Sequence, residues 1–197
     1  MVYFVAALGW GDNRPCCDIL NEIIRFNQNR DLSEQIRVVS ISYGGFSQQA
    51  HFDRWREALA KAEQNGVLVV TCSHGGFLIY GTLAHITGKD PDDPLSYRQG
   101  KYSLAMDVLR VPAGNRTIAS HYGPDMYTFD RTGALSWAAP YLAGLAALAY
   151  QVDPEIQPKT IVELWLQTAV RTDAGPIVNP VGFIEAVRKH RQQSDGI

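Results

Sequence analysis

Apolar positions along the first third of the chain alternate between two periodicities. Residues 2–8 form a continuous apolar run rich in β-branched and aromatic side chains, and the turn formers of residues 9–15 close it, which predicts a buried strand followed by a loop. Over residues 17–26 the positions Ile19, Leu20, Ile23 and Ile24 recur at helical spacing, and the polar stretch 27–35 ends that helix. A second β run at 37–43 is closed by Gly44 and Gly45. Residues 50–65 carry Trp55, Leu59 and Ala62 on one helical face and stop at Asn65 and Gly66, a C-terminal signal; residues 67–72 are a third strand. Strands alternating with helices through short connections predict parallel pairing by right-handed crossovers. Helices then cover both faces of the sheet, so its strands read as unbroken apolar runs.

Further along, residues 73–107 are turn-rich around Lys89, Asp90, Pro91, Asp92, Asp93 and Pro94, and predict an inserted surface loop. A strand is expected at 108–111 and helices at 136–150, 158–169 and 181–189. With no repeat, low-complexity tract or linker, residues 1–197 read as one α/β domain.

Composition narrows the partners. The chain has 197 residues, 46% hydrophobic and 19% charged, with a formal net charge of -2 and no run of five or six like charges. That excludes a basic nucleic-acid footprint and a polybasic membrane patch. The longest apolar stretch, 138–152, is interrupted by Pro140, Tyr141 and Gln151 and is too short to span a bilayer. Met1 leads into the first apolar run without a basic n-region, so that run reads as a core strand, not a signal peptide, which favours the cytoplasm. Cys16, Cys17 and Cys72 fit neither a disulfide framework nor zinc spacing and read as reduced structural thiols. Asp90, Asp92 and Asp93 read as a solvated acidic turn, so no metal and no cofactor is expected.

The chemistry concentrates at Ser136, a polar residue at the mouth of an otherwise apolar helix. Pro140 is expected within the first turn, where its missing N–H costs nothing. The free N–H groups and the positive dipole end favour negative charge developing beside the serine. Gly144 is expected to let another element pack close. Spacing alone leaves a second role open, that of a helix N-cap.

The stretch Ala134, Leu135, Ser136, Trp137, Ala138, Ala139, Pro140, Tyr141, Leu142, Ala143, Gly144 resembles the serine motif of subtilisin-like proteases, Gly-Thr-Ser-x-Ala-x-Pro-x-x-Ala-Gly, departing from it at Ala134 and Leu135. The resemblance continues upstream in the family's order. Residues 38–45, ending Ser42, Tyr43, Gly44, Gly45, look like the strand whose exposed edge pairs with substrate backbone and whose glycines shape the P1 pocket. Residues 60–75 look like the helix and strand leading to the oxyanion asparagine, but the family's Gly-Asn falls on His74 and Gly75, so the side-chain amide is absent. Residues 111–120 and 126–133 resemble the strand and loops before the serine in a bacterial subgroup with Pro-Ala-Gly-x-Arg-Thr.

The resemblance implies a three-layer fold around a parallel central sheet and a serine endopeptidase with Ser136 as nucleophile. Ser42, Tyr43, Gly44 and Gly45 would bind a peptide or protein substrate, and backbone N–H groups near His74 and Gly75 would stand in at the oxyanion. It also implies an omission. The family orders its triad Asp, His, Ser, and both earlier motifs would precede Met1, because residues 2–7 correspond to the strand after the His helix. The chain thus matches the C-terminal two-thirds of such a domain, and alone it is expected to be nearly inactive, since a serine without a base is barely nucleophilic. None of His51, His85, His121 or His190 lies in a context like that of the family's base. The missing N-terminal segment, or a partner chain, would complete the fold. Two other readings stand beside this one: a non-catalytic relative that binds peptides or a partner through the edge at 42–45, and an α/β-hydrolase with Ser73 at an elbow whose first glycine is replaced by Thr71.

Overall fold

The computed structural model describes Tyr3, Val5 and residues 11–72, 80–100 and 108–195. The expected first strand at 2–8 lies almost wholly outside those residues. From there the alternation holds: α1 (Arg14–Asn27), β1 (Val38–Ile41), α2 (Phe52–Gln64) and β2 (Leu68–Thr71), with β1 and β2 parallel and in register from Val38↔Leu68 to Ile41↔Thr71.

β2 shows why these strands are apolar throughout. Val67 and Val69 join a core cluster with Cys17, Leu20 and Ile24 of α1 and Trp55, Leu59 and Ala62 of α2. Leu68 and Val70 join a second cluster with Ala138, Ala139, Leu142, Ala146 and Ala149. These alanines and leucine belong to α3 (Leu135–Val152); α4 (Pro158–Thr168) and α5 (Pro180–Asp195) supply Ile161, Trp165, Phe183 and Val187 to the same cluster. A strand with helices against both faces is the middle of three layers, the expected architecture.

Residues 80–100 correct the surface-loop expectation. β3 (Tyr80–His85) starts with four buried residues and pairs in parallel with β5 (Leu109–Gly114) on one side and antiparallel with β4 (Tyr97–Gln99) on the other. Its turn-rich neighbours hid it, because a six-residue strand with a glycine and a histidine carries little apolar signal. Residues 86–96 are the predicted exposed turns: the Asp90 and Asp93 carboxylates accept from the backbone N–H groups of Asp92 and Leu95. The hairpin β8 (Val170–Thr172) and β9 (Gly175–Ile177) completes the order β4-β3-β5-β9-β8, with β9 parallel to β5. A separate antiparallel ribbon, β6 (Arg116–Ala119) with β7 (Tyr127–Asp130), leads into α3. No helix among the described residues is long and apolar enough to cross a membrane.

Candidate functional site

Ser136 is the second residue of α3, and the chain enters that helix through a tightly fixed corner. Gly133 has φ +59, and a Cβ there would lie 2.3 Å from the Ala113 carbonyl oxygen and 2.4 Å from the Gly114 Cα, so only glycine fits. Gly114, at the end of β5, is equally confined, its virtual Cβ meeting the Thr132 carbonyl at 2.7 Å. Two chain segments therefore touch backbone to backbone just before the serine.

The helix then begins without a side-chain cap, because its N-cap is Ala134. This excludes the capping role for Ser136, which lies inside the helix. Pro140 is the sixth helical residue, beyond the first turn where it was expected. Its missing N–H is the one that would have bonded the Ser136 carbonyl four residues back. That carbonyl instead accepts the Ser42 hydroxyl at 3.0 Å, while the Ser136 hydroxyl donates to the Ser42 carbonyl at 3.3 Å. The two serines, 94 positions apart, are thus doubly joined.

Ser42 faces Ser136 for a reason set by strand geometry. Main-chain groups of successive residues point to opposite sides of a strand, and the Arg37 and Tyr43 carbonyls accept from Leu68 and Cys72 of the neighbouring β2 segment. The main-chain groups of the intervening even residue, Ser42, consequently face away from β2. Beyond it the loop is anchored: Tyr43 meets Phe46 edge to face at 5.3 Å, Phe46 stacks on buried Trp55 at 4.2 Å, and Gln49 hydrogen-bonds the Tyr43 hydroxyl. Gly45 has φ +82 with open space where a Cβ would go, so its demand is conformational. Buried Asn13, at the start of α1, donates to the Phe46 carbonyl at 2.9 Å and ties the loop down.

The third member is Cys72, just after β2, whose thiol lies 3.9 Å from the Ser136 hydroxyl oxygen. Burial pushes its pKa up, partly opposed by hydrogen bonding to Ser136 and Tyr80, so it is a thiol at neutral pH. Tyr80 beside it donates to the Thr71 carbonyl at 2.9 Å, and burial raises its pKa too. The C-terminal ends of two parallel strands and the N-terminus of a helix therefore meet at Ser136, the place where open α/β sheets bind ligands.

His74 and Gly75, expected at the oxyanion, and Ser73, the alternative nucleophile, lie outside the described residues. The described histidines have other surroundings. His85 hydrogen-bonds the Lys89 carbonyl at 3.0 Å, His121 meets the Tyr122 ring at a tilt with centroids 4.0 Å apart, and His51 precedes α2 in the left-handed conformation. His190 pairs with Asp153 at 2.9 Å, a His–Asp dyad by geometry. Asp153 follows the far end of α3, 17 residues past Ser136, or about 26 Å at the helical rise, so that dyad cannot serve the serine. Gly144 is exposed with open space at its Cβ position, contrary to the close packing expected of it.

Sequence reading missed Asp130. Its carboxylate accepts from the Thr132 and Gly133 backbone N–H groups at 2.9 and 3.0 Å and from the Trp137 indole at 2.9 Å, bridging β7 to the first turn of α3. The Gly133 N–H above all, then those of Thr132 and Trp137, hold this carboxyl below its ordinary range. An acidic residue three before a glycine is the only signal the sequence offers, and it is common to many turns.

No family model and no curated protein matches the chain. Solved structures do. Subtilase cytotoxin SubAB superposes with a TM-score of 0.67 at 14% identity over 93% of this chain and 68% of that one. PatG macrocyclase in complex with peptide gives 0.59 at 15% over 91% and 57%, and the self-cleaved protease domain of PatA gives 0.54 at 20% over 88% and 68%. Shared arrangement at such low identity is a statement about architecture, and with the ladders and layers above it leads to one conclusion: this chain has the subtilisin-like α/β fold.

Proposed function

We propose that this chain carries the nucleophile and peptide-binding side of a subtilisin-like serine peptidase site, acting by acyl transfer through Ser136. The observation that carries the reading is the convergence of Ser136, on the first turn of α3, with the Ser42 main chain at the end of β1. An extended peptide laid along residues 42–45 would bring a carbonyl carbon to the Ser136 oxygen. Attack forms the new O–C bond and transfers the hydroxyl proton to a base; that proton then goes to the departing amine, and water releases the acyl group in the reverse sense. Developing oxyanion charge would meet backbone N–H groups at the start of α3, joined by those near His74 and Gly75. The reading requires a base from outside the described residues, supplied by Asp and His motifs on a preceding segment or a partner chain.

A second reading is favoured by one specific observation: the Ser136 hydroxyl donates to a main-chain carbonyl, with no described histidine bonded to it. In that reading the edge at Ser42–Gly45 binds peptide or a partner without turnover. A fluorophosphonate, applied to the protein together with the Asp and His motifs that the first reading requires, separates the two. Labelling at Ser136 that disappears in Ser136→Ala supports the peptidase, whereas peptide binding by an unlabelled protein supports the binding module.

A further inference from the structure

We infer that Asp130 is a positioning residue for Ser136, bracing from outside the helix the corner that leads into α3. This rests on the proposed role of Ser136 for its functional meaning and on geometry alone for its physical content. Ala134 at the N-cap has no side chain able to accept from the helix's first N–H groups. Asp130 takes none of those N–H groups; it braces the corner before the helix and the Trp137 side chain instead. One carboxylate oxygen takes the N–H groups of Thr132 and Gly133, fixing the corner where Gly133 lies against Ala113 and Gly114. The other takes the indole N–H of Trp137, the residue after Ser136. Both oxygens are thus committed, one on each side of the serine's entry into the helix, and a negative charge near a helix N-terminus is further favoured by the dipole.

Trp137 is 40% exposed, so packing alone does not hold it. Its ring is held through the indole bond, and with it the orientation of the turn bearing Ser136. Other charged groups nearby do not substitute. Arg116, which faces Asp130 across the β6–β7 ribbon, directs its guanidinium to the Pro112 carbonyl at 2.9 Å and lies over the Tyr141 ring at 5.7 Å.

The chemistry of Asp130 gives a test that a generic turn residue would not pass. In Asp130→Asn the side chain keeps one acceptor and gains an NH2 group, so either orientation of the amide sets a donor against a donor, at Trp137 or at the loop. Trp137→Phe removes one of those donors. Asp130→Asn should therefore loosen the start of α3 when Trp137 is present and have little effect when it is combined with Trp137→Phe.

The readout needs no catalysis. Alkylation of Cys72 by iodoacetamide, mapped by mass spectrometry apart from Cys16 and Cys17, reports access to the thiol that lies 3.9 Å from the Ser136 oxygen. The rate is expected to rise about fivefold in Asp130→Asn, the equivalent of one exposed charged hydrogen bond, and to return to the Trp137→Phe rate in the double variant. Unchanged alkylation in Asp130→Asn, or an equal rise in both backgrounds, would overturn the inference. Circular dichroism is recorded in parallel; if Asp130→Asn unfolds and the double variant does not, that rescue supports the same conclusion. Failure of the wild-type protein, its Asp and His motifs present, to take a fluorophosphonate at Ser136 would count against the peptidase reading, while Cys72 would still decide the role of Asp130.

Discussion

Replacing Ser42 by Ala removes the hydroxyl that serves the Ser136 carbonyl, and Pro140 determines the cost. In an ordinary helix that carbonyl would already have its i+4 N–H and the hydroxyl would be dispensable. Here Pro140 has no N–H to offer, so Ser42→Ala leaves the carbonyl to water. The pair is exposed, which holds the penalty near the net value of a typical hydrogen bond, about 1 kcal/mol, well short of that for a buried orphan. In a Pro140→Ala background the restored N–H takes over, and the same substitution should cost only a few tenths of a kcal/mol. A double-mutant cycle thus predicts a coupling of about 0.7 kcal/mol between residues 42 and 140, carried by the Ser136 carbonyl. Urea unfolding reads it directly. With a slope of about 2 kcal/mol/M, Ser42→Ala should shift the midpoint by roughly 0.5 M with Pro140 present and by little without it. Equal shifts in both backgrounds would refute the claim that the proline frees this carbonyl.

Gly133→Ala should destabilise by about 3 kcal/mol, from the left-handed φ and the overlap with Ala113 and Gly114 backbone, seen as a fall of roughly 10 °C in Tm. Phe46→Ala, which empties the space stacked on Trp55, should cost about 3–5 kcal/mol in urea unfolding and weaken any peptide binding at Ser42–Gly45. The Asp130 carboxyl is held below its unfolded value, so its contribution is complete above the ordinary carboxylate range and is lost only as pH falls through the lower, folded value. Trp137 emission should accordingly stay flat through the ordinary carboxylate range and change only below it; a midpoint near neutrality would contradict the assignment. Burial raises the pKa of Cys72, so its alkylation should be slow at neutral pH and accelerate only above the ordinary thiol range; fast reaction at about pH 7 would show a thiolate that the structure does not support.

Elements whose burial is two-sided or strongly periodic were legible in the sequence. α1, α2, β1 and β2 fall where apolar spacing put them, because each contributes a full face to a core cluster. β3 escaped because its signal is set by its neighbours in the sheet, not by its own composition. The ribbon β6–β7 escaped because Tyr127 and Phe129 are exposed and lack the alternation of burial that marks a strand. At the site, the serine motif located Ser136, and the Gly44–Gly45 pair located the loop beside it. The pair of hydrogen bonds between Ser42 and Ser136 was not readable, since it depends on two segments 94 positions apart and on the turn at which Pro140 sits. Asp130 was invisible for a related reason: its three donors are two backbone N–H groups and an indole, and no residue pattern encodes that meeting.

The most direct test of the central claim is fluorophosphonate labelling of the protein as its own cell makes it, with the modified residue mapped by mass spectrometry. A single adduct on Ser136 is expected, absent from Ser136→Ala and blocked by an extended peptide occupying residues 42–45. An adduct on Ser73 instead, or no adduct on a folded protein whose Asp and His motifs are present, would contradict it.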